Sequence, residues 1–166
     1  MPARRALLEL LLAAPAATLA FDWRSWLHGN AEMPPKAPPP KHLVEVSSAP
    51  GAARDAQVES FFRALAVALN AREGRPMLAR LSDRYTIDAL PVDSAAPELF
   101  VTAVERIPAP TEIVIQGIER AGGARVAATE FRYGAAPAKA KTFRFDADGR
   151  LVSSDLFTVS MKRHGS

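Results

Sequence analysis

Apolar positions along the chain fall into two periods. From Asp55 onward Val58, Phe61, Phe62, Leu65, Ala66 and Leu69 recur at spacings of three and four. That stripe predicts an amphipathic helix of about five turns. Asp55 stands where an N-cap belongs, and Gly74 marks the helix end. Arg75-Pro76 opens a second, shorter helix with Met77, Leu78 and Leu81 inward, because a proline at the first helical position loses no hydrogen bond. Tyr85 to Leu90 reads as a short strand ended by Pro91. Pro97 starts a third helix with Leu99, Phe100, Ala103, Val104 and Ile107 on its inner face, and Pro108 and Pro110 stop it.

After Pro110 the period changes to two. Glu112 to Glu119 is a strand rich in Ile and Val, Ala121-Gly122-Gly123 is a turn, and Arg125 to Tyr133 is the next strand. Gly134 to Lys139 reads as a loop of small residues. Lys141 to Met161 then forms a hairpin around Asp146-Ala147-Asp148-Gly149, where Asp and Gly supply the turn chemistry. Its first arm carries Phe143 and Phe145, and its second Leu151, Val152, Leu156, Phe157 and Val159. Helices followed by an antiparallel meander predict an α+β class: three N-terminal helices packed in a curved antiparallel sheet. A sheet that curls around helices makes a cone with an open mouth.

The first fifty residues are different. Residues 1–20 combine Arg4 and Arg5, an apolar run and small residues, the shape of a secretory signal peptide. This predicts a periplasmic or secreted protein. A short amphipathic helix that stays attached is the cytoplasmic alternative, and membrane contact then goes only through this uncleaved segment. The apolar run is shorter than the roughly 20 residues a bilayer span needs. Residues 21–53 hold Trp23 and Trp26, three apart, and then a proline-rich stretch. Prolines fix φ and remove donors, so that stretch is read as an extended, disordered arm or linker. The folded domain is predicted over 54–162.

Charge and composition narrow the chemistry. The chain has 166 residues, 48% apolar, with a net charge of +3. No basic run with interleaved aromatics points to nucleic acid. There is no cysteine, which removes disulfides, thiolate nucleophiles and cysteine-based zinc sites. His28, His42 and His164 all lie outside the predicted domain, so neither a histidine-ligated metal nor a Ser-His hydrolase is expected within it. No glycine-rich phosphate loop follows a strand, and no cofactor is expected.

The element order resembles that of the NTF2-like superfamily, cone-shaped α+β barrels that include SnoaL-like proteins, ketosteroid isomerases and scytalone dehydratases. The resemblance is carried by FFRALAVALNAREGRPMLARLSDRYTIDAL and FRFDADGRLVSSDLF, which bracket nearly all of the chain after the arm. It implies a cone whose pocket is lined by Phe61, Phe62, Leu65, Phe100, Phe131, Tyr133, Phe143, Phe145 and Phe157. By the same resemblance Asp88, in TIDAL, matches the position of the isomerases' general base; Asp155 or Tyr85 is the residue that would assist it. The first helix departs from the isomerases: it offers Phe61 and Phe62 where they place an oxyanion-binding tyrosine. Asp155 is a second candidate. If Phe145 pairs with Leu151, then Ser153, Asp155 and Phe157 share the inward face with Phe143. A buried carboxylate needs a partner, and Tyr133, Arg132 or Arg144 are the neighbours on offer.

Three functions follow as expectations. The first is non-catalytic binding of a small apolar ligand or a protein partner. The second is an isomerase- or dehydratase-type enzyme using Asp88 with Asp155 or Tyr85. The third is an assembly module that makes a homodimer through its sheet and tethers an envelope complex through its Trp-bearing arm.

Overall fold

The computed structural model describes residues 35–87 and 96–155. The predicted signal peptide, the Trp-bearing segment, Asp88 and Phe157 lie outside the described residues. Strand β1 (Glu45–Ser48) precedes helix α1 (Ala56–Ala71), a 3-10 segment (Arg75–Arg80), β2 (Leu81–Ile87) and α2 (Ala96–Arg106). Then come β3 (Glu112–Ala121), β4 (Ala124–Tyr133), β5 (Ala136–Phe145) and β6 (Leu151–Ser154). The architecture is α+β with a curved, unclosed six-stranded sheet in the order β1-β3-β4-β5-β6-β2.

Four expectations change. The second of the three predicted helices is a 3-10 segment of 6 residues. So few residues cannot repay the nucleation of an α-helix, and short 3-10 pieces take that role. The sheet is mixed: β1 runs parallel to β3, and β2 parallel to β6. Residues 45–48 are not a disordered arm but strand β1, and Val44 is buried while Val46 packs on the core. The alternation of Val44 and Val46 with Glu45 is a strand signal that the neighbouring prolines obscure. Finally, the loop predicted over 134–139 shrinks to a turn, because Tyr133 pairs with Ala136 across Gly134 at φ 61. The ladder register shifts between Phe131 and Tyr133, next to Pro137, and a bulge is where a sheet tolerates proline.

The core is aromatic. Phe61, Phe62, Phe100, Phe131, Phe143 and Phe145 are each at most 1% exposed. The Phe61 ring meets Phe62, Phe100, Phe143 and Phe145 with centroids 5.1–6.5 Å apart. Most of these pairs are edge-to-face, the arrangement that the ring quadrupole favours. Helix α1 thus drives two rings into the inner face of β5.

Both ends of α1 are tied to the rest of the fold. At its start Asp55 accepts from the amides of Gln57 (3.0 Å) and Val58 (3.1 Å), the N-cap expected from the sequence. Arg125 Nη1 donates to both Asp55 carboxylate oxygens at 3.0 Å. Arg120 adds a contact at 2.9 Å. Arg125 Nη2 reaches on to the carbonyls of Asp146 and Ala147, so one guanidinium joins the helix start to the β5–β6 turn. At the other end α1 stops at Arg72, held at φ 54, rather than at Gly74. Gly74 is needed for another reason: a Cβ there would lie 2.7 Å from the Val101 backbone. Its lack of a side chain lets α2 pack close.

Burial alone pushes the Asp55 carboxyl up, but the Val58 amide and the Arg125 and Arg120 charges outweigh it and hold it below its ordinary 3.8. A depressed folded-state pKa gives stability that is present above the unfolded value and lost as pH falls through the folded one. The urea midpoint of the wild-type chain is therefore expected to fall more steeply between about pH 5 and about pH 2 than that of Asp55→Asn. Parallel curves would contradict this assignment. Among the described residues, no helix is long and apolar enough to cross a membrane.

Candidate functional site

Two places gather the residues singled out by sequence: a polar cluster where β2, β5 and β6 meet, and an apolar mouth at the other end of α1. In the first, Tyr85 lies on the buried side of β2, its ring edge-on to Phe100 at 5.7 Å. Its hydroxyl shares a hydrogen bond of 2.9 Å with Ser154 Oγ. Ser154 has no exposed surface and stands opposite both Phe143 on β5 and Ile87 on β2.

Asp155 does not face inward with Phe143. The register shifts inside the hairpin: Phe145 pairs with Leu151 as expected, but Arg144 pairs with Ser153 and Phe143 with Ser154. One extra residue on β6 is a β-bulge, and beyond it every side chain changes face. Asp155 comes level with Thr142, accepts from its amide at 2.8 Å and donates its own amide back to the Thr142 carbonyl. Its carboxylate thus meets β5 backbone at Thr142 instead of pointing inward toward Tyr133.

Lys141 is the member that sequence reasoning missed. It is 6% exposed, in phase with Phe143 and Phe145, and its ammonium donates to the Asp155 carbonyl at 3.4 Å. Burial lowers its pKa, the nearby Asp155 charge works against that, and Lys139 adds to the lowering. The alternation in KTFRF already places Lys141 on the inner face. A lysine with a lowered pKa can act as a base or form an imine when a substrate reaches it. Neither of the two pockets described below is lined by Lys141, Tyr85, Ser154 or Asp155.

The mouth is built from three elements. Leu65 and Leu69 come from α1, Ala103 and Val104 from α2 with Ile107, Pro108 and Pro110 just after it, and Phe131 and Tyr133 from β4. Its volume is about 30 Å³. Burial pushes the Tyr133 phenol up to about 12. Among the described residues its hydroxyl has no hydrogen-bond partner, so it is an apolar ring with an unspent polar tip. Of the nine expected pocket residues, Leu65, Phe131 and Tyr133 come together here. Phe61, Phe62, Phe100, Phe143 and Phe145 are packed into the closed core, and Phe157 lies outside the described residues. Among the described residues no cluster of three His, Asp or Glu side chains could hold a metal ion.

No protein-family model matches the chain, and no curated protein matches it closely enough to serve as a relative.

Proposed function

We propose that the chain is a non-catalytic NTF2-like binding domain, exported by residues 1–20, that receives one apolar side chain of a protein partner at the mouth around Tyr133. The observation that carries this reading is a contrast of volumes. The interior expected to be a ligand cone is filled by phenylalanine rings. The apolar mouth offers about 30 Å³, far below the roughly 300–1,000 Å³ of small-molecule sites. That is room for the tip of a leucine or similar side chain, not for a steroid-sized body. Tyr133 can add one hydrogen bond to a partner backbone, the use to which interface tyrosines are put. The family reading rests on the element order that follows β1: helix, short helical segment, strand, helix, then a four-strand meander in a curved sheet.

N-acetyl-leucinamide is a suitable probe because it presents one apolar side chain on a capped backbone. Titrated into the full chain and followed by NMR, it is expected to move the signals of Leu69, Val104 and Tyr133 saturably. Ile107 is half-buried at the rim, its side chain at the edge of the core, and its hydrogen bonds, from its amide to Ala103 and from Arg72 to its carbonyl, are backbone ones that a substitution keeps. Ile107→Lys is therefore expected to keep the fold and weaken this probe by about ten-fold, the equivalent of roughly 1.4 kcal/mol. Equal binding by wild type and variant would remove the mouth from the account.

A further inference from the structure

A second, wider groove adjoins the mouth and shares Pro108 and Pro110 with it. One wall is Pro38, Pro39 and Pro40 with Lys41 and His42; the other runs from Pro108 to Thr111. Its volume is about 340 Å³. Both walls hang on one side chain. Arg72 donates through Nε to the Pro38 carbonyl (3.2 Å) and through Nη1 to the carbonyls of Val104 (3.2 Å) and Ile107 (2.7 Å). The Ala37 amide also bonds the Glu105 carbonyl at 2.9 Å. The proline arm is thus pinned to the end of α2, and the space between the walls is part of the fold.

We infer that this groove is the docking site of the chain's own Trp-bearing segment, residues 21–29, through the indole of Trp23 or Trp26. Three observations support this occupant. The first is chemistry: the walls present five proline rings. Proline rings and aromatic faces are the two halves of a recurrent recognition mode, in which grooves lined by aromatics take proline-rich segments. Here the prolines are the wall, so the matching group is an aromatic face. Lys41 at the rim offers a cation, for which indole is the best aromatic partner. The second is the tether: the groove's first wall begins at Pro38, and Trp26 lies twelve residues earlier in the chain. An extended chain covers about 3.3–3.6 Å per residue, so Trp26 reaches the groove with slack. A short tether raises its effective concentration to about the millimolar range. The third is supply: Trp23 and Trp26 are the chain's two tryptophans. This inference concerns the groove alone and stands whether or not the neighbouring mouth binds a partner.

Intrinsic fluorescence of the full chain tests it cleanly, because every tryptophan lies in the segment. The expected result is emission blue-shifted from that of N-acetyltryptophanamide, with weaker quenching by acrylamide, unchanged on about 100-fold dilution as a tethered contact requires. Pro39→Asp and His42→Asp each place a carboxylate on the arm's wall, at exposed positions whose side chains make no polar contact in the fold. Each is expected to return the emission and quenching to those of the free amide, with the circular dichroism of the domain unchanged. Four results would overturn the inference: wild-type emission like that of the free amide, a blue shift that survives both variants, a shift lost on dilution, or one that appears only with anionic phosphatidylglycerol vesicles. The third would assign the segment to a second copy, and the fourth to a membrane surface.

Discussion

Replacing Asp55 with alanine is expected to cost the domain about 3–5 kcal/mol. The number comes from what is left behind. The Asp55 side chain is 3% exposed and that of Arg125 10%. Losing Asp55 leaves the Arg125 charge desolvated with no counter-charge beside it, held only by the Asp146 and Ala147 carbonyls, and Arg125 Nε already has no partner among the described residues. The lost N-cap adds about 1 kcal/mol, because the Gln57 and Val58 amides lose their acceptor. Arg120 is the control: its side chain is 68% exposed, and an exposed ion pair contributes little. The measurement is urea unfolding of Asp55→Ala, Asp55→Asn and Arg120→Ala at neutral pH. Asparagine keeps the cap and loses only the charge, so its stability should lie between those of Arg120→Ala and Asp55→Ala. An Asp55→Ala chain as stable as Arg120→Ala would mean that the buried network does not hold α1 to the β5–β6 turn.

Phe61→Ala is the second large effect, expected at about 3–5 kcal/mol. Phe61 has no exposed surface and lies among four other rings, so its neighbours cannot close the gap without leaving their edge-to-face contacts. The consequence reaches beyond stability. A void lined by phenylalanine is dry and can take benzene. Benzene is therefore expected to raise the melting temperature of Phe61→Ala and leave that of the wild type where it is. A wild-type response of equal size would show that the core is not filled.

How much of this was legible in the residues depends on how far apart the interacting parts lie. The start of α1 and its buried face were legible, from Asp55 through the apolar stripe, because period and cap are local; its end, at Arg72 instead of Gly74, was not. So were Phe143 and Phe145 as inner-face residues, and Phe145 opposite Leu151. The two parallel pairings were not. Glu45–Ser48 meets Glu112–Ile115, and nothing in either stretch names the other across so much chain. The bulge in the hairpin was equally hidden. Strict alternation through LVSSD sends Asp155 inward, and no residue type in that run marks the extra position. One misplaced residue was enough to exchange an expected buried acid for the buried, neutral Ser154.

The candidate site was legible in part for the same reason. Leu65, Phe131 and Tyr133 were expected in one pocket, and they share the mouth. Phe61, Phe62, Phe100, Phe143 and Phe145 do point inward, but side-chain volume decides whether a face lines a cavity or fills it, and periodicity carries no volume. Lys141 was in phase with two phenylalanines and was passed over because a charge on an inner face contradicts the simplest pattern. The chain resolves that contradiction by giving the ammonium the Asp155 carbonyl.

The interior is filled by phenylalanine rings, and the proposed partner site is the mouth around Tyr133, with room for a single apolar side chain. The most direct measurement is a pair of NMR titrations of the labelled full chain, one with N-acetyl-leucinamide and one with a four-ring steroid. The leucinamide is expected to move Leu69, Val104 and Tyr133, and the steroid to leave Phe61, Phe143 and Phe145 unmoved. Saturable steroid binding that shifts those three rings would contradict a filled interior.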